Sequence, residues 1–399
     1  MILRLPRRQW PFLAVLLLAV VSFASDRTDQ YTPVVVSPLT PGTQAVLGTD
    51  GKRHIVYELV LTNTSPTPAT LEKLEVLSDP SHVLLTLEGP SLVKVLRNTS
   101  SSPAVNAELD LNSTRLLLLE IALPQDAPVP RQLLHRLTAL AAARPGPAAA
   151  PVSQTYTVAP FTVGTIVPVI GPPLQGKGWI AVNGCCEAAG AHRGTGLAVN
   201  GAISFAQRFA IDWMKLDDAG RLVHGDAGDV HNYTDYGAAI LAVADGTVVD
   251  TLNNLDDQVP GKLPDPSTIT LENVDGNHVV LDLGNGVYAF YAHMQKGSVA
   301  VSVGEHVKRG QVLGKLGNTG NTSAPHLHFH LMDSPSVLGS NGLPYVIDSF
   351  DYDGQVSYEK FEATTELTGD WGEGRLPSPS PRQNEFPMNL AIIDFGTAK

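Results

Sequence analysis

The chain has 399 residues, with 39 Asp plus Glu against 27 Lys plus Arg and a formal net charge of −12 at pH 7. That acidic balance excludes a partner held through its phosphate backbone, because nucleic-acid binders carry clustered basic residues. At about 100 to 200 residues per domain the length predicts two domains with substantial cores.

At the start, Arg4, Arg7 and Arg8 precede an apolar run from Pro11 to Phe23 and a small-x-small site at Ser22-Phe23-Ala24. This is the pattern of a signal peptide over residues 1–24, with the mature chain beginning near Ser25. The run is shorter than the roughly 20 residues that cross a bilayer, and no later stretch is long and apolar enough to span one. The expectation is an exported protein, periplasmic or extracellular, with no stable membrane span.

Residues 25–160 contain short runs of strand type, including His54 to Leu61 and Arg115 to Ile121, separated by Asn, Asp, Ser, Pro and Gly clusters. Strands at that spacing predict an immunoglobulin-like β-sandwich. Arg131 to Ala143 instead shows helix formers and some helical spacing. No catalytic constellation lies in this half, which leaves it an accessory role. Residues 161–177 are rich in Pro, Gly and Val and read as a linker into a strand at Trp179 to Val182.

The region 178–352 is again β-rich. Tyr236-Gly237 leads into Ile240 to Ala244, the turn Asp245-Gly246 precedes Thr247 to Val249, and glycines at 304, 310, 314, 317 and 320 punctuate short strands. The tail 353–399 is polar and Pro/Ser-rich, with an apolar run at Leu390 to Phe395 suited to a final docking strand. The fold class expected is mainly β, a sandwich followed by a second, antiparallel β domain.

Cys185 and Cys186 are the only cysteines. Across a trans peptide their Cα atoms would lie about 3.8 Å apart, below the usual disulfide range of about 4.4 to 6.8 Å, so a bond between them would be strained. The plain expectation is two small packed thiols; the sharper one is a redox-sensitive or metal-proximal pair just upstream of His192.

Three segments carry chemistry. In Gly320 to His330, period two puts His326, His328 and His330 on one face of a strand and Leu327 and Phe329 on the other, presenting three imidazoles to one groove. Packing alone rarely needs that arrangement, which suits a metal or a catalytic role. In Gln207 to Trp213, the same period sets Phe209, Ile211 and Trp213 against Arg208, Ala210 and Asp212, leaving Asp212 as a carboxylate between large apolar neighbours. Such a carboxylate ligates a cation or accepts designed hydrogen bonds, with a structural ion pair as the plainer alternative. The third, Tyr288 to His293, places His293 at a strand end.

Taken in order, Asp212, Tyr236-Gly237 through Asp245-Gly246-Thr247, Tyr291-Ala292-His293, the glycines to Gly320 and His326-Leu327-His328-Phe329 resemble the catalytic domain of lysostaphin/LytM-type peptidoglycan endopeptidases over roughly residues 178–350. The resemblance implies an antiparallel β peptidase domain with an open groove and a zinc ion (Zn2+). It assigns Asp212 and His328 as metal ligands, His326 and His293 as catalytic histidines, and peptidoglycan peptides as substrate. The sandwich would then be a support or wall-binding module. One position departs: where the family carries the His of His-x-x-x-Asp stands Arg208, whose guanidinium cannot ligate. The third ligand expected is His192, by resemblance to a branch that supplies it from the preceding loop, with His231 and then His224 in reserve. His330 has an open role, including support of a ligand from behind.

Two rivals remain. Gly320, His326-Leu327-His328 and Asp333 imitate the first half of a cupin metal motif, but no second half follows and Asp212 and His293 would be left without purpose. The other is a catalytically inactive relative that binds wall peptides or regulates another hydrolase, supported by Arg208.

Overall fold

The computed structural model describes residues 29–146, 149–363 and 369–396. Residues from Thr32 onward fall in one compact unit. The expected signal peptide at 1–24 lies outside the described residues, and among these no helix is long and apolar enough to cross a membrane.

The chain is mainly β. In its first half, strands Val34–Pro38, Lys52–Asn63, Thr114–Pro124 and Leu96–Asn98 lie side by side in one sheet; Gly42–Gln44, Pro151–Gly164, Gln132–Ala142, Ala69–Asp79 and His82–Glu88 form a second. Ile55, Tyr57 and Leu59 of the first meet Leu133, Leu137 and Ala139 of the second in one core. The helical spacing read at Arg131 to Ala143 is overturned, since Gln132–Ala142 is a strand. Leu133, His135, Leu137, Ala139 and Ala141 are buried in strict alternation, and neighbours on both sides satisfy the backbone, so tertiary pairing overrides local propensity.

Lys52–Asn63 is covered on both faces. Tyr57 and Leu59 face the sandwich core, whereas Val56 on the opposite face belongs to the core of the second half. That double burial accounts for an apolar run without clean alternation.

The second half is organised on a long sheet in which every pairing is antiparallel. Its order is His306–Val307, Gly246–Leu252, Asn277–Asp282, Tyr288–Met294, Leu327–Met332, Ile211–Lys215, Gly176–Val182, Ala391–Phe395, Phe350–Gln355 and Arg375–Arg382. The apolar run at the chain's end thus sits inside the sheet. One face buries Phe209, Ile211, Trp213, Tyr291, Leu327 and Phe329 in a single core. The opposite face is left with Asp212, His328, His330 and Phe290.

His54, buried at the seam between the halves, is held between Glu120 (Nδ1 to Oε1, 2.7 Å) and Asp50 (Nε2 to Oδ1, 3.0 Å). Burial opposes its charge, but the two carboxylates outweigh it and push its pKa from 6.5 up to about 9. A folded pKa above the unfolded one gives stability that is full below the unfolded value and is lost as pH rises through the folded one. The stability advantage of the wild type over His54→Asn, measured by urea unfolding, is therefore expected to be largest near about pH 6 and to fall away between about pH 7 and 10. An advantage that does not change over that range would contradict the ion-pair account.

Candidate metal centre

Antiparallel pairing sets Asp212 directly opposite His328, and His328 opposite Ala292. Asp212 Oδ1 is the focus of three imidazoles: His328 Nδ1 lies 2.9 Å away, His192 Nε2 3.3 Å and His326 Nε2 3.3 Å. Asn183 donates its side-chain N–H to Oδ2 at 2.7 Å. The donor atoms of His192, Asp212 and His328 all lie within 4.8 Å of one another, as do those of His293, His326 and His328. The five residues singled out by sequence therefore converge. His231 and His224 do not join them: His231 is exposed beside Asp229, and His224 pairs with Asp217.

Backbone carbonyls fix the rings. A carbonyl only accepts, so Nδ1 carries the hydrogen in His192 (to Ala210 O, 3.1 Å), His293 (to Thr319 O, 2.7 Å) and His326 (to Ala324 O, 2.8 Å). Each neutral ring then keeps its Nε2 lone pair for a proton or a cation. His328 is oriented differently, with Nε2 3.0 Å from His330 Nδ1, an arrangement that leaves Nδ1 for Asp212 or a shared cation. His293 sits at φ 58°, a conformation that a non-glycine residue holds only where surroundings enforce it. Its N–H donates to Asp275 O at 3.0 Å.

Charge in the cluster is asymmetric. Despite burial, which alone would raise it, the neighbouring His192 and His326 hold the Asp212 carboxyl well below its usual range. In return Asp212 raises His192 and His326 against the opposing effect of burial. Burial, only partly offset by Asp212, pushes His328 down to about 4. Burial first, then neighbouring imidazoles, also drives His293 and His330 well below 6.5. Imidazoles around one carboxylate are the donors a cation site needs, a cation taking the place of the proton that Asp212 favours on His192. Divalent cations such as zinc bind N and O donors at ~2.0–2.2 Å, and tetrahedral angles then separate the donors by ~3.3–3.6 Å. The 3.3 Å from His192 and 2.9 Å from His328 to Asp212 fit that set with little movement.

Arg208 is turned away from this cluster toward the sandwich. Its guanidinium bonds Glu58 (Nε to Oε1, 2.9 Å) and Gly342 O (2.9 Å). Arg193, adjacent to His192, donates to the same carboxylate and to Tyr57 O at 2.9 Å. Glu58 is 0% exposed; burial would raise its pKa, but Arg208 and Arg193 keep it below the usual range. Earlier in the same loop, Ala188 O accepts a hydrogen bond from Arg97 of the sandwich at 2.6 Å. The loop bearing His192 is thus pinned to the sandwich, which the sequence reading treated as separate from the chemistry. Glu58 was detectable as a lone charge inside an apolar strand. Asn183 gave no comparable signal.

The cysteine expectation is corrected as well. Cys185 and Cys186 are joined in a disulfide, not held as free thiols. The expectation assumed a trans peptide, whereas this link is cis. Cys186 lies with His54 and Glu120.

Residues 229–339 match peptidase family M23. The chain carries a peptidase family M23 domain there. Peptidoglycan DD-endopeptidase ShyA of Vibrio cholerae serotype O1 is 34% identical over 106 residues, which is 26% of this chain and 20% of that protein. Lysostaphin of Staphylococcus simulans is 45% identical over 58 residues, 14% of this chain and 11% of lysostaphin. The match thus spans a fifth or less of either relative. Among solved structures, the lysostaphin catalytic domain from Staphylococcus simulans aligns at 22% identity and TM-score 0.22, covering 42% of this chain and 86% of that one. The M23 match contains His293, His326 and His328 but begins after His192 and Asp212.

Removing the charge of Glu58 would leave two buried guanidinium groups unpaired. Glu58→Gln is expected to cost about 3–5 kcal/mol in denaturant unfolding, whereas Arg221→Ala, at the exposed pair with Asp217, should cost under about 1 kcal/mol. Similar losses for the two would remove Glu58 from its structural role.

Proposed function

We propose that this protein is an exported zinc-dependent endopeptidase that hydrolyses peptide bonds of bacterial cell-wall peptidoglycan. The observation that carries the reading is the convergence of three imidazoles on Asp212 Oδ1, two of them, from His326 and His328, belonging to the M23 region. The named relatives, a peptidoglycan endopeptidase and lysostaphin, support the substrate class. His192, Asp212 and His328 would hold the metal, three protein ligands with a position left for substrate. A zinc ion there would supply Lewis acidity to a water and to the scissile carbonyl.

His326 is the general base in this reading. Its ring is fixed through Ala324 O, and Asp212 raises its proton affinity, so Nε2 can take a proton from water and later release it to the leaving amine. His293 is kept neutral by burial and donates Nδ1–H to Thr319 O, so its Nε2 acts as an acceptor. That supports orienting the attacking water over stabilising negative charge, which needs a donor. His330 supports His328 from behind.

Arg208 in place of the family histidine favours the second reading, an inactive relative. The test is zinc per chain by elemental analysis together with wall hydrolysis, on wild type, His192→Ala, His231→Ala and His326→Ala. About one zinc in the wild type, lost with activity in His192→Ala but kept in His231→Ala, is expected. His326→Ala should keep zinc and lose activity by about 10²–10⁴-fold. A wild type that binds no zinc and cleaves no wall would establish the inactive reading.

A further inference from the structure

The face of the sheet that carries the metal centre continues past it. From His328 a row of rings runs across three strands, His328 to His330 (centroids 5.1 Å), His330 to Phe290 (5.2 Å) and Phe290 to His278 (5.6 Å). At its end lies a cavity of about 390 Å³ lined by Asp250, Glu272, Asp275 and His278, with Leu252 and Val337 among its apolar walls. Asp275 ties the cavity to the site, since its carbonyl accepts the N–H of His293.

The polar groups of this cavity lack what they need. Asp275 is 7% exposed, yet among the described residues its carboxylate accepts no hydrogen bond and forms no ion pair. Burial pushes it up to about 6, with His278 opposing, so it is mostly ionised at neutral pH. His278 is 8% exposed, and its Nε2 has no hydrogen-bond partner, lying 3.5 Å from Asp250 Oδ2. No Lys or Arg lines the cavity to supply a donor to Asp275. Among the lining residues His278 supplies the positive charge, its pKa held above 6.5 by Asp250 against burial, but it faces Asp250, which leaves Asp275 for a donor brought from outside.

A bare metal ion does not suit the walls. The acids are not drawn together within the 4.8 Å that the His192 and His293 groups achieve, whereas metal bonds of ~2.0–2.6 Å require such convergence. A primary ammonium with three donors on a flexible arm can bridge spaced acceptors, and the apolar walls suit the arm.

We propose that this cavity binds a primary ammonium group of the substrate peptide, held by Asp275 and Asp250, and thereby selects peptides that carry a free amine beside the scissile bond. The assignment rests on the endopeptidase reading, and its test separates the two. The probes are a lysine-containing wall-type peptide with its ε-amine free and the same peptide acetylated on that amine. With the full zinc-loaded chain, KM is expected to be about 10-fold lower for the free amine with kcat within about twofold, and Asp275→Asn or Asp250→Asn should erase the difference while zinc content is unchanged. Asp250 is 57% exposed in its side chain, so its variant still reports if Asp275→Asn fails to fold.

Binding of both peptides is measured in parallel with a chelator present. Cleavage of the two peptides with equal KM, or discrimination that survives both substitutions, overturns the cavity and leaves the peptidase. Tighter binding of the free amine, lost in Asp250→Asn, with no cleavage of either peptide, keeps the cavity and overturns the peptidase. No preference in binding or in cleavage overturns the cavity outright.

Discussion

Glu58 between Arg193 and Arg208 is the contact on which the rest of the molecule depends. A carboxylate with no exposure is tolerable only while both guanidinium groups stay in place, because its charge has left water and these two groups offset that loss. The three residues come from the sandwich, from the loop that carries His192 and from the approach to Asp212. They therefore set the loop in register with the sheet. The strand that bears Glu58 also has Val56 in the core of the second half, so separating the halves would expose apolar surface along with the charges. The N-terminal sandwich is in this sense a wall of the candidate metal centre.

The second constraint is the pleat of the long sheet. Alternation sends Ile211 and Trp213, Leu327 and Phe329 into one core and leaves Asp212, His328 and His330 on the opposite face, so the same pairing that buries four large side chains also aligns the polar ones. A slip of one residue between Ile211–Lys215 and Leu327–Met332 would bury Asp212 among aromatics. The site and the core are thus specified by one register.

Much of this was legible in the sequence because it follows from period two. The spacing of His326, His328 and His330, and Asp212 between Ile211 and Trp213, state which face each side chain takes before any partner is known. The strand at Gln132–Ala142 was not legible, since Leu, Ala and Arg favour a helix locally and only the neighbouring strands decide otherwise. Nor was the turn of Arg208 toward Glu58, a contact 150 residues apart in sequence. Its chemistry excluded it as a ligand, but its partner lies in what composition reads as a different domain.

The least legible part is the set of backbone carbonyls that decides which nitrogen of each histidine is available. Ala210, Thr319 and Ala324 act through main-chain oxygens, so residue type at those positions carries no signal. What the sequence does retain is the glycine that lets one carbonyl reach its place. A Cβ on Gly276 would meet Thr319 O at 2.2 Å, and one on Gly320 would meet Gly276 N at 2.3 Å, so the segment presenting Thr319 O to His293 packs against a backbone that admits no side chain. The glycines that punctuate the second half therefore do more than turn the chain. At Gly276 and Gly320 they permit the close approach that holds His293 at its positive φ and directs its free nitrogen, which ties the tautomer of a candidate catalytic residue to two positions without side chains.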